Sequence, residues 1–301
     1  QVAKCFRDED LRADRQPEFT QLDVEMSFVE ADDVMGVIEG LVQRTAREIL
    51  GLDVPLPLPR LTWDECMERF GHDAPDLRFG LEIVDLTAIA GESEFRVFRG
   101  AVEGGGRVRG IRVPGAAGKF SRKELDDLTA VAVEGGAKGL VWLKVEPDGS
   151  WSGPVAKNLG PIAEPLKARL GCEAGDLALI VADSFETTCK ALHMLRKRLG
   201  GQLGLYDPNA MHFSWVVDFP MFARDTESGG WASMHHPFTA PRPADLDLLE
   251  SDPAACRAVA YDLVINGSEA GGGTIRIHDG GTQEKVFKLL GITAEVARER
   301  F

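Results

Sequence analysis

Three groups of residues in this sequence have the types and spacing to act on a charged substrate. The first is the run Phe6-Arg7-Asp8-Glu9-Asp10-Leu11-Arg12-Ala13-Asp14-Arg15-Gln16-Pro17-Glu18-Phe19, where opposite charges alternate between two stretches of strand character. Its plainer reading is a solvated hairpin tip whose ion pairs contribute under about 1 kcal/mol each. Two details favour a site instead. Arg7 stands where a strand ends, so its guanidinium starts from a fixed base, and Gln21, Asp23 and Glu25 share the polar face of the return strand. The second group is Asp262, Glu269 and Arg276. Two carboxylates side by side suit a hard divalent cation carrying phosphates, and an arginine beside them can grip a carboxylate with a two-pronged fork. Its plainer reading is an exposed hairpin with a surface ion pair. The third is Met234-His235-His236-Pro237-Phe238. Adjacent histidines point apart, so one metal held by both is not expected. A structural histidine and a donor to an anionic substrate both remain open for His235.

Other glycine-rich stretches fail as nucleotide motifs. Gly115-Ala116-Ala117-Gly118-Lys119 lacks a phosphate-loop glycine where Val113 stands, and no GxGxxG or GxSxG pattern is present. The five cysteines, Cys5, Cys66, Cys172, Cys189 and Cys256, are scattered and form no CxxC pair, which reads as reduced thiols in a cytosolic protein. A net charge of −14 argues against non-specific nucleic-acid binding, DNA included, while leaving room for a local basic patch on RNA. No apolar run reaches the roughly 20 residues of a membrane helix, so no membrane partner is expected.

The elements that must carry these residues can be read from periodicity. Residues 1–7 and 18–28 read as two strands, with Thr20, Leu22, Val24, Met26 and Phe28 on a buried face. Asp32 and Asp33 cap a helix that carries Val34, Ile38, Leu41, Val42 and Ile49 and stops at Gly51. Thr62-Trp63-Asp64-Glu65 and Ser121-Arg122-Lys123-Glu124 are capping boxes. From about residue 95 the texture changes. Strands at 94–102, 107–113, 138–146 and 176–182 alternate with helices at 121–134, 155–170 and 184–199, and suggest a separate α+β module of about a hundred residues. Strand character returns at 212–222. Near the end, strands at 261–266 and 274–278 flank the glycine run 267–273, with Asp262, Val264 and Asn266 on one side and Leu263 and Ile265 on the other. The first residues already read as strand and the last as helix, so both ends look interior to a longer chain.

The first run resembles motif 2 of class II aminoacyl-tRNA synthetases, and through Asp23 it is similar to the bacterial aspartyl enzymes. His235-His236-Pro237-Phe238-Thr239 and the segment from Asn266 through Glu269 and Arg276 to His278 resemble two further signatures of that family. Residues 96–205 resemble the GAD insertion domain that the bacterial aspartyl enzymes carry. The resemblance covers the whole chain. It implies an α+β fold, a six- or seven-stranded antiparallel sheet flanked by helices, divided as 1–95 first catalytic part, 96–205 insertion, and 206–301 second catalytic part. It implies an ATP-dependent aspartate–tRNA ligase.

By the same resemblance, Arg7 would clamp the α-phosphate of ATP, and Asp8, Glu9 and Gln16 would line the nucleotide pocket. Asp262 and Glu269 would hold Mg²⁺, with Glu269 also against ATP. Arg276 would pair with the side-chain carboxylate of L-aspartate, with His235 and Asp23 also against the amino acid. Arg12 and Arg15 would lie near the acceptor end of tRNA(Asp). A cytoplasmic homodimer is expected of the full-length enzyme. The anticodon-binding barrel, motif 1 and motif 3 of the family have no counterpart in these residues, so the chain alone is expected to be inactive or nearly so. Three other readings stay open: an asparaginyl enzyme, a GAD-bearing accessory subunit of an amidotransferase that handles mischarged tRNA, and a non-catalytic RNA-binding remnant.

Overall fold

The computed structural model describes residues 1–8, 16–225 and 229–300. It begins with the expected hairpin: β1 (Val2–Phe6) pairs antiparallel with β2 (Glu18–Leu22), Cys5 opposite Phe19. β2 ends sooner than residue 28. Phe28 takes a left-handed backbone, φ 59°, which no strand can contain, and it is fully exposed; Val24 and Met26 are exposed as well, so the apolar face expected there is not buried. Helix α1 (Ala31–Thr45) follows, with Glu30 before it and Asp33 reaching back to accept the Glu30 N–H at 2.9 Å. It runs on through one π turn and stops at Gly51, φ 67°. Its buried positions are Met35 and Glu39, one turn apart, while Leu41 and Ile49 face outward.

β3 (Arg60–Thr62) leads into α2 (Trp63–Phe70) through the expected capping box: Thr62 accepts from the Glu65 N–H and the Glu65 carboxylate accepts from Thr62. β4 (Ile83–Asp85) and α3 (Thr87–Gly91) come next. Residues 96–103 then form helix α4 (Arg96–Glu103) in place of the strand read there. Phe98 is buried and Phe95, Ala101 and Val102 pack half-buried against the same core, the spacing of one helix face. β5 (Arg107–Val113), α5 (Arg122–Glu134), β6 (Val141–Val145) and β7 (Trp151–Ser152) follow. The helix expected over 155–170 starts as two short 3₁₀ turns around Pro161 before α6 (Ala163–Leu170). β8 (Leu177–Asp183) and α7 (Phe185–Gln202) complete this stretch. After it come β9 (Phe213–Val217), β10 (Phe222–Arg224), β11 (Trp231–Ser233), α8 (Leu248–Ser251), β12 (Ala260–Ile265), β13 (Ser268–Thr274), α9 (Gly280–Leu289) and α10 (Ala294–Arg300).

The chain divides into two compact units. One comprises 1–60, 213–264 and 268–301, and the other 61–212 with 265–267. The second unit holds the antiparallel sheet β4-β5-β8-β6-β7, in which β4 pairs with β5, Ile83 opposite Ile111. Both faces of that sheet are covered. Leu177, Leu179 and Val181 point to a core shared with α5 and α7, and Ala178 and Ile180 to a core shared with α4 and α6. Period-two alternation with apolar residues on both sides is what a doubly covered sheet requires. The remaining sheets are the β1–β2 and β10–β11 hairpins and a four-stranded sheet in the order β13-β12-β9-β3. The mixture of helices and antiparallel sheets is the α+β fold expected; among the described residues these strands form one four-stranded sheet and two hairpins. No helix among the described residues is long and apolar enough to cross a membrane.

Candidate active site

The glycine run is a strand, contrary to the reading of it as a connection. The turn is Asn266-Gly267, with φ of 50° and 80°, and β13 begins at Ser268. Two consecutive residues of positive φ make a tight hairpin that matches the twist of the strands it joins. The strand expected over 274–278 is reduced to the pairing of Arg276 with Thr239. Within β13, Gly272 and Gly273 have a steric reason to be glycine. A Cβ on Gly272 would stand 2.5 Å from Asp262 Oδ1 and 3.6 Å from Glu269 Oε1. A Cβ on Gly273 would stand 2.4 Å from the ring of Tyr261. The carboxylates of Asp262 and Glu269 therefore meet over bare backbone, Asp262 half-buried and Glu269 exposed. Val264, placed on the polar side of β12 by alternation, is buried, so the open part of that face lies at Asp262.

Backbone pairing ties this strand pair to the histidine segment. The Ala240 N–H donates to Ile275 O at 2.8 Å, the Ile277 N–H to Phe238 O at 2.8 Å, and the Ile275 N–H to Val259 O at 3.0 Å. Arg276 is thereby fixed opposite Thr239 and remains exposed. His235 packs edge-on against Phe219, ring centroids 4.6 Å apart. His236, which spacing alone does not mark, lies close enough to Arg276 to feel its charge. Partial burial first, and the Arg276 charge second, hold His236 below its ordinary pKa, so it is neutral at pH 7. Its Nδ1 accepts the Phe238 N–H at 3.2 Å, which leaves the proton on Nε2. Beside it, Phe238, Gln283, Phe287, Ala297 and Arg298 line an open cleft of about 520 Å³.

The first constellation stands on its own hairpin. The Arg7 N–H donates to Pro17 O at 2.9 Å, one step beyond the β1–β2 ladder, and its guanidinium lies over the Phe19 ring at 5.0 Å. That gives Arg7 the fixed base expected of it. Asp8 and Gln16 are exposed at the open end of the hairpin. Asp23 closes the other end, where its N–H donates to Gln1 O at 2.8 Å and its carboxylate accepts from Gln1 Nε2 at 3.2 Å. Glu9, Arg12 and Arg15 lie outside the described residues. The structure thus unites the second and third constellations through one set of backbone bonds, and the first belongs to a separate sheet of the same unit.

The donor set fits a divalent cation. Among the described residues no group of three or more His, Cys, Asp or Glu side chains is suited to a metal ion, so Asp262 and Glu269 supply two carboxylates and no closed cage. Mg²⁺ is held in that way, by one or two carboxylates with phosphate oxygens and water completing its shell.

An antiparallel sheet with a carboxylate pair, and an exposed arginine tied beside it, fits the likeness found along the whole sequence. The chain belongs to the class II tRNA synthetases: the family model described as "tRNA synthetases class II (D, K and N)" matches residues 1–301. Within that class it is similar to aspartate–tRNA ligases. It is 60% identical to the aspartate–tRNA(Asp/Asn) ligase of Rhodopirellula baltica, over all of this chain and 51% of that protein. It is 52% identical to the protein of the same name from Moorella thermoacetica, over all of this chain and 50% of that one. It is 48% identical to the aspartate–tRNA ligase of Limosilactobacillus fermentum, over all of this chain and 51% of that one. The chain spans about half the length of these relatives.

Proposed function

We propose that, in a protein of the relatives' length, this site activates L-aspartate with ATP and passes the aspartyl group to the 3′ end of tRNA(Asp). The observation that carries the reading is the backbone pairing that joins Arg276 and the histidine segment to the strand pair β12–β13, which carries Asp262 and Glu269. Aspartate attacks the α-phosphorus of ATP through its α-carboxylate, and pyrophosphate leaves in line. Two anions must approach, so the residues' work is to position them and offset charge; no protein nucleophile is needed. Arg7 holds the α-phosphate, and Asp8, Glu9 and Gln16 line the nucleotide. Asp262 and Glu269 hold Mg²⁺, which when bound neutralises phosphate charge. Arg276 receives the aspartate side chain with a bidentate fork, a poor match for the neutral amide of asparagine. His235 and Asp23 border the amino acid, and Arg12 and Arg15 the tRNA acceptor end. Residues 96–205 are the GAD-like insertion. A cytoplasmic homodimer is part of the same reading.

ATP–pyrophosphate exchange on the extended protein tests it. Exchange is expected with aspartate and not asparagine, and Arg276→Gln should lower kcat/KM for aspartate by at least about a hundredfold. Equal exchange with asparagine, or an unaffected variant, would overturn the assignment. The 301-residue chain by itself should show little exchange; turnover near that of the extended protein would contradict this.

A further inference from the structure

We propose that Gly272 and Gly273 act as a gauge that sets the separation of the Asp262 and Glu269 carboxylates, and that Tyr261, backed by Trp215 and Glu39, is the positioning residue that holds this gauge in place. The inference rests on the reading of the carboxylate pair as a cation site. On one side of the bare backbone, Asp262 Oδ1 occupies the space where a Gly272 side chain would start, with Glu269 Oε1 within reach of the same point. On the other side, the Tyr261 ring occupies the space of a Gly273 side chain, its hydroxyl 2.9 Å from that position. Asp262 and Tyr261 are consecutive in β12, so β13 is gripped from both sides by neighbours on one strand.

The grip is stiff on the tyrosine side. Tyr261 is buried and meets Trp215 edge-to-face, centroids 5.9 Å apart at 83°. The Trp215 Nε1–H donates to Glu39 Oε1 at 3.0 Å, and the same oxygen accepts the Leu58 N–H at 3.2 Å. A buried carboxylate with two donors keeps its place, because losing either bond leaves a polar group unmet in the interior. The column Glu39, Trp215, Tyr261 therefore cannot yield to a side chain at 273. At 272 the soft neighbour is the Asp262 carboxylate, and an added methyl must displace it, which changes its separation from Glu269. Groups that orient metal ligands without touching the metal commonly matter tenfold or more for affinity.

The test is Mn²⁺ titration of the full-length protein in the presence of ATP, followed by the loss of the free-ion signal in electron paramagnetic resonance, with the thermal midpoint measured alongside. Gly272→Ala should weaken Mn²⁺ uptake by about tenfold or more while the thermal midpoint holds, because its backbone is open to alanine. Tyr261→Leu should weaken uptake too, and Tyr261→Phe, which keeps the ring, should restore it. Glu39→Gln, which can still accept from Trp215, should bind as the wild type does. If wild-type protein takes up no Mn²⁺ beyond ATP alone, the cation-site reading itself falls. If wild type binds and Gly272→Ala and Tyr261→Leu bind equally well, the gauge is refuted while the site stands.

Discussion

Arginines in this chain fall into two kinds that sequence alone does not separate. Arg109 is fully buried: its guanidinium donates to Met67 O at 3.1 Å, to Glu68 O and to Cys189 Sγ at 3.0 Å, and it lies over the Phe185 ring. Arg7 and Arg276 are exposed at strand ends. The first kind joins α2 and α7 to β5, and the second presents charge to solvent. Arg109→Met should therefore cost about 2–4 kcal/mol of unfolding free energy, since it breaks the buried guanidinium's hydrogen bonds to Met67 O, Glu68 O and Cys189 Sγ together, and a urea titration measures it. A loss below about 0.5 kcal/mol, the scatter of neutral surface changes, would contradict that role. Arg7→Ala should show the reverse split. Its side chain is exposed, and exposed contacts contribute little each, about 0.5–1 kcal/mol for a cation–π pair such as that with Phe19, so stability should move by less than at Arg109. Exchange activity of the extended protein should fall by at least about a hundredfold, as when a charge-stabilising donor is removed. Large destabilisation with proportionate loss of activity would make Arg7 a structural residue.

At the level of elements, local signals with a complete mechanism were readable in advance. The capping boxes at Thr62 and Ser121 form as the sequence predicts, each with its glutamate at the fourth position. Thr62→Ala should remove one such cap and cost about 1 kcal/mol by urea titration, and no change would mean that α2 is held by packing alone. Acid should weaken the same cap. Its backbone bond to Thr62 holds the Glu65 carboxyl below the ordinary value of 4.5, so the contribution is present above that pH and fades as pH falls below it. Two elements were not readable. In α4 the aromatic and β-branched residues Phe95, Val97, Phe98 and Val102 suit a strand as well as a helix, and the helix is decided by the core that receives Phe98. In β13, glycine's weak strand preference argued for a loop, and the strand is decided by Asp262 and Tyr261 pressing against it. Both depend on contacts from distant chain. The same holds for the proposed site: Asp262, Glu269, Arg276 and His235 are candidates from spacing and resemblance, whereas His236, Tyr261 and Glu39 become candidates only where the chain folds back on them. The turn offers a further check. Asn266 holds a left-handed backbone while its side chain accepts the His212 N–H at 2.8 Å and donates to Ala210 O at 3.0 Å. Asn266→Ala should cost about 2 kcal/mol, from αL strain and a lost bond together, whereas Asn266→Gly should recover part of it.

For the molecule as a whole, two compact units with separate cores imply that pH need not act on both alike. In the 61–212 unit, His193 stacks on His72 with centroids 4.3 Å apart and planes at 22°. Burial chiefly, then the charges of His72, Arg196 and Lys197, push His193 down to about 3, against which a bond to the Phe70 backbone works only weakly. Arg196 cannot move away, because it is buried and donates to Leu81 O at 2.8 Å and Gly80 O at 2.9 Å. The folded unit thus keeps His193 neutral where the unfolded chain, with an ordinary value of 6.5, takes up a proton. Protons bound by the unfolded state favour unfolding, so this contribution is complete above pH 6.5 and is lost as pH falls toward 3. At pH 5 the loss amounts to as much as about 2 kcal/mol, from the proton-linkage slope. Titrating carboxylates and the relief of the −14 net charge act over part of the same range, so wild type alone cannot isolate the histidine. His193→Gln can, since it removes the titration and leaves the rest. Hydrogen exchange at pH 7 and pH 5 should show protection in α7 and β8 falling in wild type by more than in the variant, with β12 and β13 affected alike in both. Equal loss of protection in α7 for the two proteins would sink the claim that His193 sets the acid sensitivity of this unit.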